Sequence, residues 1–291
     1  MAKPFLKWAG GKGQLLAEIS SRLPADIDDC TTYVEPFIGG GALLFHMLEH
    51  HSFETIHISD FNPELILCYR TIRDDVDSVV SHLRKLSEDY PAEQTKRAVM
   101  FYKERKKWNA KVGSAETAEG DAAAFRTAQT LFMNRTCFNG LFRVNSKGEY
   151  NVPVGSYVNP RILNEENLRA VSESLQDINI HVSSYEECES RVEDDAFVYF
   201  DPPYLPLSVS SSFTAYSRDG FGEEQQHELA ALFRRLDKKG AKLMLSNSDP
   251  DHFSFDELYE GFTVKRVLAS RNINSKGDGR GKINEILVTN Y

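Results

Sequence analysis

Long apolar runs are missing from this 291-residue chain, and no stretch approaches the roughly 20 consecutive apolar residues a bilayer-spanning helix needs. The N-terminal Met1-Ala2-Lys3-Pro4-Phe5-Leu6-Lys7-Trp8 has no apolar core of the kind a secretory leader carries. Cysteine is scarce. The four residues, Cys30, Cys68, Cys137 and Cys188, show no paired spacing, which argues against a disulfide framework and against zinc ligation. They fit reduced thiols, so a cytoplasmic location is expected. The histidines form no HExxH-like pair, and no metal site is expected. Internal repeats and low-complexity linkers are also missing. Basic charge is not in excess: the net charge of -9 argues mildly against nucleic-acid binding by bulk electrostatics.

The distribution of charge says more than its sum. Between Lys96 and Lys111 stand Lys96, Arg97, Lys103, Arg105, Lys106, Lys107 and Lys111, against the single acid Glu104. Between Lys265 and Lys282 stand Lys265, Arg266, Arg271, Lys276, Arg280 and Lys282, against Asp278. Acids gather elsewhere, as in Glu186, Glu187, Glu189, Glu193, Asp194 and Asp195. An acidic body with a basic cleft would produce this pattern, and so would a solvated basic helix. With 41% hydrophobic and 26% charged residues, the chain has the composition of a globular protein of one large or two smaller domains.

The apolar run Ala196-Phe197-Val198-Tyr199-Phe200 reads as a buried strand and leads into Asp201-Pro202-Pro203-Tyr204. Each proline fixes its own φ and holds the residue before it extended, so the turn is stiff. Asp201 and Tyr204 are thereby presented at a strand's carboxyl end, where open α/β sheets bind ligands. A carboxylate, the Pro202 carbonyl and a flat ring suit a planar base carrying an exocyclic amine. A strand followed by a proline turn with an incidental tyrosine is the plainer alternative.

Two further stretches are glycine-rich. Lys7-Trp8-Ala9-Gly10-Gly11-Lys12-Gly13 precedes a helical pattern from Gln14 to Leu23. It fails as a P-loop, because Leu6 stands where the first glycine belongs and Gly13 where Ser or Thr belongs. Tyr33-Val34-Glu35-Pro36-Phe37-Ile38-Gly39-Gly40-Gly41 reads as strand, tight turn and then a helix from Ala42 to Leu48. A second strand, Thr55 to Ser59, ends at Asp60, about 20 residues beyond the glycines, where nucleoside-binding βαβ units place a ribose-binding acid. Asn62 and Pro63 read as a helix cap and first turn; Asp60 could instead belong to that cap.

From Asn62 to about residue 169 strand periodicity gives way to helical patterns over Leu65 to Arg73, Val76 to Leu86, Gln94 to Val112 and Ala122 to Asn134. Alternating residues around Asn145-Ser146-Lys147-Gly148 predict a β-hairpin. A basic helix and a hairpin with Asn, Arg and an aromatic suit the reading of duplex DNA, since Arg can be bidentate to guanine and Asn can pair with a base edge. An ordinary helical subdomain with a surface hairpin is the plainer reading. The α/β rhythm returns with a helix from Glu165 to Leu175 and strands at Ile178 to Val182, Ala196 to Phe200, Lys242 to Ser246, Thr263 to Leu268 and Glu285 to Thr289. A helix from Glu223 to Lys239 separates the second and third of these. A Ser- and aromatic-rich loop, Ser208 to Tyr216, is long enough to close over a substrate.

Taken together, Lys-Trp-Ala-Gly-Gly-Lys, Glu-Pro-Phe-x-Gly-x-Gly, the strand-end Asp60 and Asp-Pro-Pro-Tyr resemble, in that order, the DNA adenine-N6 methyltransferases of the Dam/DpnII type, the alpha arrangement or D12 class. Asn134-Arg135-Thr136-Cys137-Phe138-Asn139-Gly140-Leu141, Val152-Pro153 and Phe213-Thr214-Ala215-Tyr216 also resemble that family. The resemblance implies an α/β, Rossmann-like S-adenosylmethionine-dependent methyltransferase sheet with an inserted, mainly helical target-recognition domain carrying a β-hairpin. Residues 1–61 and 170–291 would form the catalytic domain and 62–169 the recognition domain.

The same resemblance implies S-adenosylmethionine as cofactor. Trp8 and Lys12 would line its methionine end, Phe37 and Gly39 would pass beside it, Asp60 would hold the ribose, and Tyr185 would lie near its adenine. Asp201, between cofactor and target, and the Pro202 carbonyl would hold the target amine, with Tyr204 stacked on the base. In the reader, Phe138 would intercalate, where the family often has Tyr, and Asn139 would face the orphaned thymine. Leu141, Arg143 and Pro153 would read distal base pairs, and Lys7 the first guanine. The implied substrate is double-stranded DNA containing GATC, with the adenine flipped out, bound by the enzyme as a monomer. A cognate restriction endonuclease would be a functional partner rather than a physical one; no membrane partner is expected. Rival readings keep the chemistry on RNA adenine, cytosine N4 or a glutamine amide, or retain only a DNA-binding regulator with a vestigial cofactor fold.

Overall fold

The computed structural model describes residues 1–207, 221–270 and 282–291. The expected closing loop from Ser208 to Tyr216, with its Phe213–Tyr216 stretch, and the basic residues Arg271, Lys276 and Arg280 lie outside the described residues.

The strands are β1 (Thr32–Glu35), β2 (Thr55–Asp60), β3 (Asn179–Val182), β4 (Ala196–Phe200), β5 (Lys242–Ser248), β6 (Thr263–Ser270) and β7 (Lys282–Thr289). They form one sheet in the order β3-β2-β1-β4-β5-β7-β6. β1 runs parallel to β2 and β4, and β4 parallel to β5. β7 is antiparallel to both β5 and β6. The mixed α/β class read from the sequence is the class observed. β4 is buried at all five positions, as a central parallel strand with layers on both faces must be. Burial of its Phe and Val side chains contributes about 1.5–3 kcal/mol each as an upper estimate. The parallel strands bring Glu35, Asp60 and Asp201 to one edge of the sheet. Chain direction across the sheet reverses between β1 and β4, the switch point where such sheets form a ligand crevice.

The helices are α1 (Leu16–Ser20), α2 (Ala42–His50), α3 (Pro63–Asp74), α4 (Val76–Glu88), α5 (Gln94–Asn109), α6 (Gly120–Thr136), α7 (Glu165–Ser174), α8 (Glu223–Lys238) and α9 (Phe255–Leu258). The Asn62 side chain caps α3 by accepting the Glu64 and Leu65 amides, with Pro63 in the first turn, as the sequence predicts. α8 turns Leu229, Ala230, Leu232, Phe233 and Leu236 into the core around β4 and β5. The chain divides into two compact units: residues 1–11, 39–45 and 62–182, and residues 12–38, 46–61 and 183–291.

Two expectations need correction. The hairpin around Asn145–Gly148 is a tight turn flanked by the isolated bridges Val144–Tyr150 and Cys137–Val154, without two continuous strands. The Asn145 side chain accepts the backbone amides of Lys147 and Glu149, offering the chain a local alternative to a ladder. The basic run on α5 is also only partly solvated. Arg97 is buried and donates to the Tyr157 and Val158 carbonyls, and Glu104 is buried against Lys107 and Gln129. Lys96, Lys103, Lys106, Lys107 and Lys111 are exposed.

Inside the first unit, the Arg126 guanidinium forks onto the Glu64 carboxylate and lies 4.3 Å from the ring centre of Trp108. Trp108 donates its indole N–H to Thr130 at 3.0 Å. Arg126 is 2% exposed and Glu64 8%, so removing one partner strands a buried charge. Arg126→Met is therefore expected to lower unfolding stability by about 3–5 kcal/mol in denaturant titrations. Arg126→Met combined with Glu64→Leu should recover most of that loss.

Candidate active site and recognition surface

The first group of site residues is built where β4 runs into Asp201-Pro202-Pro203-Tyr204. Lys12, 6% exposed, places its ammonium 2.6 Å from Asp201 Oδ1. Ser246 at the end of β5 donates to the same oxygen at 3.0 Å, and its hydroxyl lies 2.9 Å from that of Tyr199. Burial raises the Asp201 pKa above the ordinary carboxylate value; the Lys12 ion pair and the Ser246 hydrogen bond pull it back only in part. The Lys12 ammonium also lies 4.4 Å from the ring centre of Tyr204. Tyr204 donates its hydroxyl to Glu285 at 2.7 Å. Burial, then the charges of Asp201 and Glu285, keep that phenol neutral. Glu35, at the end of β1, accepts the Tyr33 hydroxyl at 2.7 Å and is 3% exposed. The site is thus acidic: Asp201, Glu35 and Glu285 all act on the buried Tyr199 hydroxyl.

The second group lies at the ends of β1 and β2. Phe37 stacks on Tyr185 with ring centres 5.3 Å apart, and Phe221 meets both edge-on. The Ile38 amide donates to the Ser59 carbonyl at 2.9 Å, and the Ser183 amide to the Asp60 carbonyl at 3.3 Å. These backbone bonds draw the turn after β1, the end of β2 and the segment before Tyr185 together. Phe37, Asp60 and Tyr185, far apart in sequence, therefore converge. Aromatic faces beside a strand-end acid fit a nucleoside, and the surrounding carboxylates fit a positively charged group.

The remaining expected residues belong to the first unit. Trp8 stacks on Phe142 at 5.2 Å. Gly39 has φ 47° and accepts the Tyr69 hydroxyl at 3.1 Å. Lys7, Phe138, Asn139, Arg143 and Pro153 are exposed, and Leu141 is half-buried. Phe138 is 51% exposed and its amide donates to the Pro153 carbonyl at 2.9 Å. Asn139 has φ 56°, the left-handed region. Arg143 donates to the Asn151 side chain at 2.7 Å.

Asn134, fully buried, was not picked out as a site residue from the sequence. It accepts the Lys7 amide and donates to the Lys7 and Gly140 carbonyls, all at 2.8–2.9 Å. It thereby locks residue 7 against the turn that follows α6. Gly140 is required there: its φ is 67°, and a Cβ would lie 2.2 Å from the Lys7 side chain. Ser246, Asn247, Gln226, Glu35 and Glu285 were likewise missed. The available signal was polar residues, Ser246-Asn247-Ser248, closing an otherwise apolar strand.

Known proteins resemble the chain along almost its whole length. The model of the D12 class N6 adenine-specific DNA methyltransferases matches residues 8–273. Type II methyltransferase M.MjaIII of Methanocaldococcus jannaschii is 45% identical, with 99% of each chain covered. Type II methyltransferase M1.LlaDCHI of Lactococcus lactis subsp. cremoris is 39% identical, covering 99% of this chain and 95% of the relative. The DNA adenine methylase of Vibrio cholerae is 34% identical, over 98% and 95% respectively. Transfer of a methyl group by this family implies, in general, S-adenosylmethionine as the donor. With an acid-proline-proline-tyrosine elbow at the switch point of an α/β sheet and a family match spanning residues 8–273, the chain belongs to the D12 class N6 adenine-specific DNA methyltransferases.

Proposed function

We propose that the enzyme methylates adenine N6 within GATC in duplex DNA, with the adenine turned out of the helix into the elbow at Asp201–Tyr204. The observation that carries this reading is the half-buried Asp201 carboxylate, held through Oδ1 by Lys12 and Ser246 beside the Tyr204 ring. An amine within a base pair cannot approach such a group, so the base has to leave the stack.

In this reading Asp201 Oδ2 and the Pro202 carbonyl accept the two N–H groups of the target amine. Accepting both draws the nitrogen lone pair out of conjugation with the ring and aims it. Tyr204 stacks on the base, its phenol fixed by Glu285. Phe37 and Tyr185 flank the cofactor's adenine and Asp60 binds its ribose. Lys12 and Trp8 lie at its methionine end, with Gly39 allowing close backbone approach. When bound, S-adenosylmethionine would supply an electrophilic methyl group to the amine lone pair, and the proton the amine then gives up would leave along its hydrogen bond to the Asp201 carboxylate. Placement and fixed dipoles carry the rate, with no strong base required. On the recognition side, Phe138 enters the stack, Asn139 faces the orphaned thymine, Lys7 reads guanine, and Leu141, Arg143 and Pro153 contact distal pairs. Residues 62–169 act as the target-recognition segment. Support for that role comes from the exposed Lys7, Phe138, Asn139 and Arg143 and from the clamp Asn134 places on Lys7 and Gly140.

Radiolabelled methyl transfer to three duplexes tests the reading: one with GATC, one scrambled, and one with 2-aminopurine replacing the GATC adenine. Label on the first alone is expected. Label on both natural duplexes would remove the GATC assignment, and label on none, with RNA or protein labelled instead, would remove DNA as substrate. Asp201→Ala is expected to abolish transfer while the fold persists by circular dichroism. Because the Asp201 pKa is raised and the carboxylate is the working form, the rate at saturating substrates should fall, as pH drops, above the usual Asp range. Lys12→Met, which removes an interaction lowering that pKa, should move this acidic limb further upward. Arg143→Ala should lose about 1–3 kcal/mol of discrimination at one base pair. Equal weakening on all sequences would make Arg143 a phosphate contact instead.

A further inference from the structure

The two prolines of the elbow remove the amide donors at positions 202 and 203, so the chain there has two fewer backbone groups with which to tie itself down. The backbone groups around it are satisfied from below by side chains of β5 and α8. The Leu205 amide donates to Asn247 Oδ1 at 3.3 Å. Asn247 Nδ2 donates to Gln226 Oε1 at 3.0 Å, and Gln226 Nε2 donates to the Pro203 carbonyl at 3.3 Å. These bonds close a ring that runs from Pro203 through both amides and back to Leu205. Asn247 Oδ1 also accepts the Ser248 amide at 2.9 Å, and the Ser248 hydroxyl donates to the Leu205 carbonyl at 2.6 Å.

The ring has one consistent orientation. Two backbone donors fix which end of Asn247 is oxygen, its nitrogen then fixes Gln226, and the Gln226 nitrogen meets the only group Pro203 offers, a carbonyl. Gln226, Asn247 and Ser248 are all 0% exposed. Polar side chains at such depth are costly unless fully paired, and a strand that only filled the core would end in apolar residues. The ring spans the residues on either side of Tyr204, and the neighbouring Ser246 holds Asp201 itself.

We propose that Asn247 and Gln226 are positioning residues for methyl transfer: their closed ring beneath the elbow sets the aim of the Asp201 carboxylate, the Pro202 carbonyl and the Tyr204 ring. This rests on the assignment of the elbow as the site that receives the target amine. Displacement of reacting groups by about 1 Å can cost on the order of 100-fold in rate. Since the ring acts as a unit, losing either amide should release the elbow as fully as losing both.

The test compares Gln226→Met, Asn247→Leu, the double variant and a control, Leu236→Ala, a buried core position on the same helix as Gln226. Single-turnover methylation of a duplex that the wild type methylates is measured with cofactor and DNA saturating, alongside cofactor Kd and the unfolding midpoint. The expected result is a rate on the order of 100-fold lower in each single variant, no further loss in the double, and cofactor Kd within about threefold of wild type. Leu236→Ala should lose stability while its folded fraction keeps the wild-type rate. Gln226→Met carries the test should Asn247→Leu fail to fold. Single variants that keep the wild-type rate, or that lose rate only in step with stability as the control does, would overturn the proposal while leaving the elbow assignment standing. An Asp201→Ala variant that still methylates would instead remove the elbow assignment itself.

Discussion

Two adjacent prolines remove two amide donors from the chain after β4, and buried side chains of β5 and α8 tie down the backbone around them. Such a segment would wander unless held, and β5 and α8 hold it with side chains buried as deeply as the apolar core. Asp201 presents the matching electrostatic problem. Burial disfavours its charge, and one ammonium plus one hydroxyl on a single oxygen restore the charge only in part. Asp201 therefore takes up a proton at a higher pH than an ordinary carboxylate.

The parallel strands explain why residues so far apart in the chain meet. Register alone brings Glu35, Asp60 and Asp201 to one edge. Short backbone bonds, Ile38 to Ser59 and Ser183 to Asp60, then draw Phe37 and Tyr185 into a stack. Most of this convergence is fixed by main-chain geometry, which tolerates change in the surrounding side chains. The first unit follows another rule. Its centre is a buried ion pair, Glu64 with Arg126, packed on Trp108. Its exposed edge is organised by one amide, Asn134, which fixes Lys7 to the turn carrying Phe138 and Asn139. A left-handed Asn139 followed by a left-handed Gly140 makes an angular turn that a regular helix end would not provide.

The pattern of apolar residues was sufficient for the class of fold and for nearly every strand and long helix, because burial on a sheet or a helix face leaves a period in the sequence. The elbow was legible for a covalent reason: Asp-Pro-Pro-Tyr restricts its own backbone wherever it occurs. The hairpin was misread because Asn145 bonds its own neighbours' amides, a competition that alternation of residue types does not reveal. The basic run on α5 was overstated for a similar reason. Charge along a sequence carries no mark of which Arg turns inward to satisfy carbonyls, as Arg97 does.

By itself, then, the sequence determined the mixed α/β class, the stiff acid-bearing turn after β4, the caps and glycines that set the turns, and through its motif order the adenine-methyltransferase family. Those features are local, or recur in a fixed order, and need no knowledge of what lies across the fold. Tertiary structure alone decided that Lys12 would neutralise Asp201 and face Tyr204, that Glu285 would hold the Tyr204 phenol, and that Asn247 and Gln226 would close beneath the elbow. These partners stand tens to hundreds of residues apart. Hydrogen bonds and ion pairs act over a few ångströms of space, and only the path of the folded chain sets which groups come within that reach.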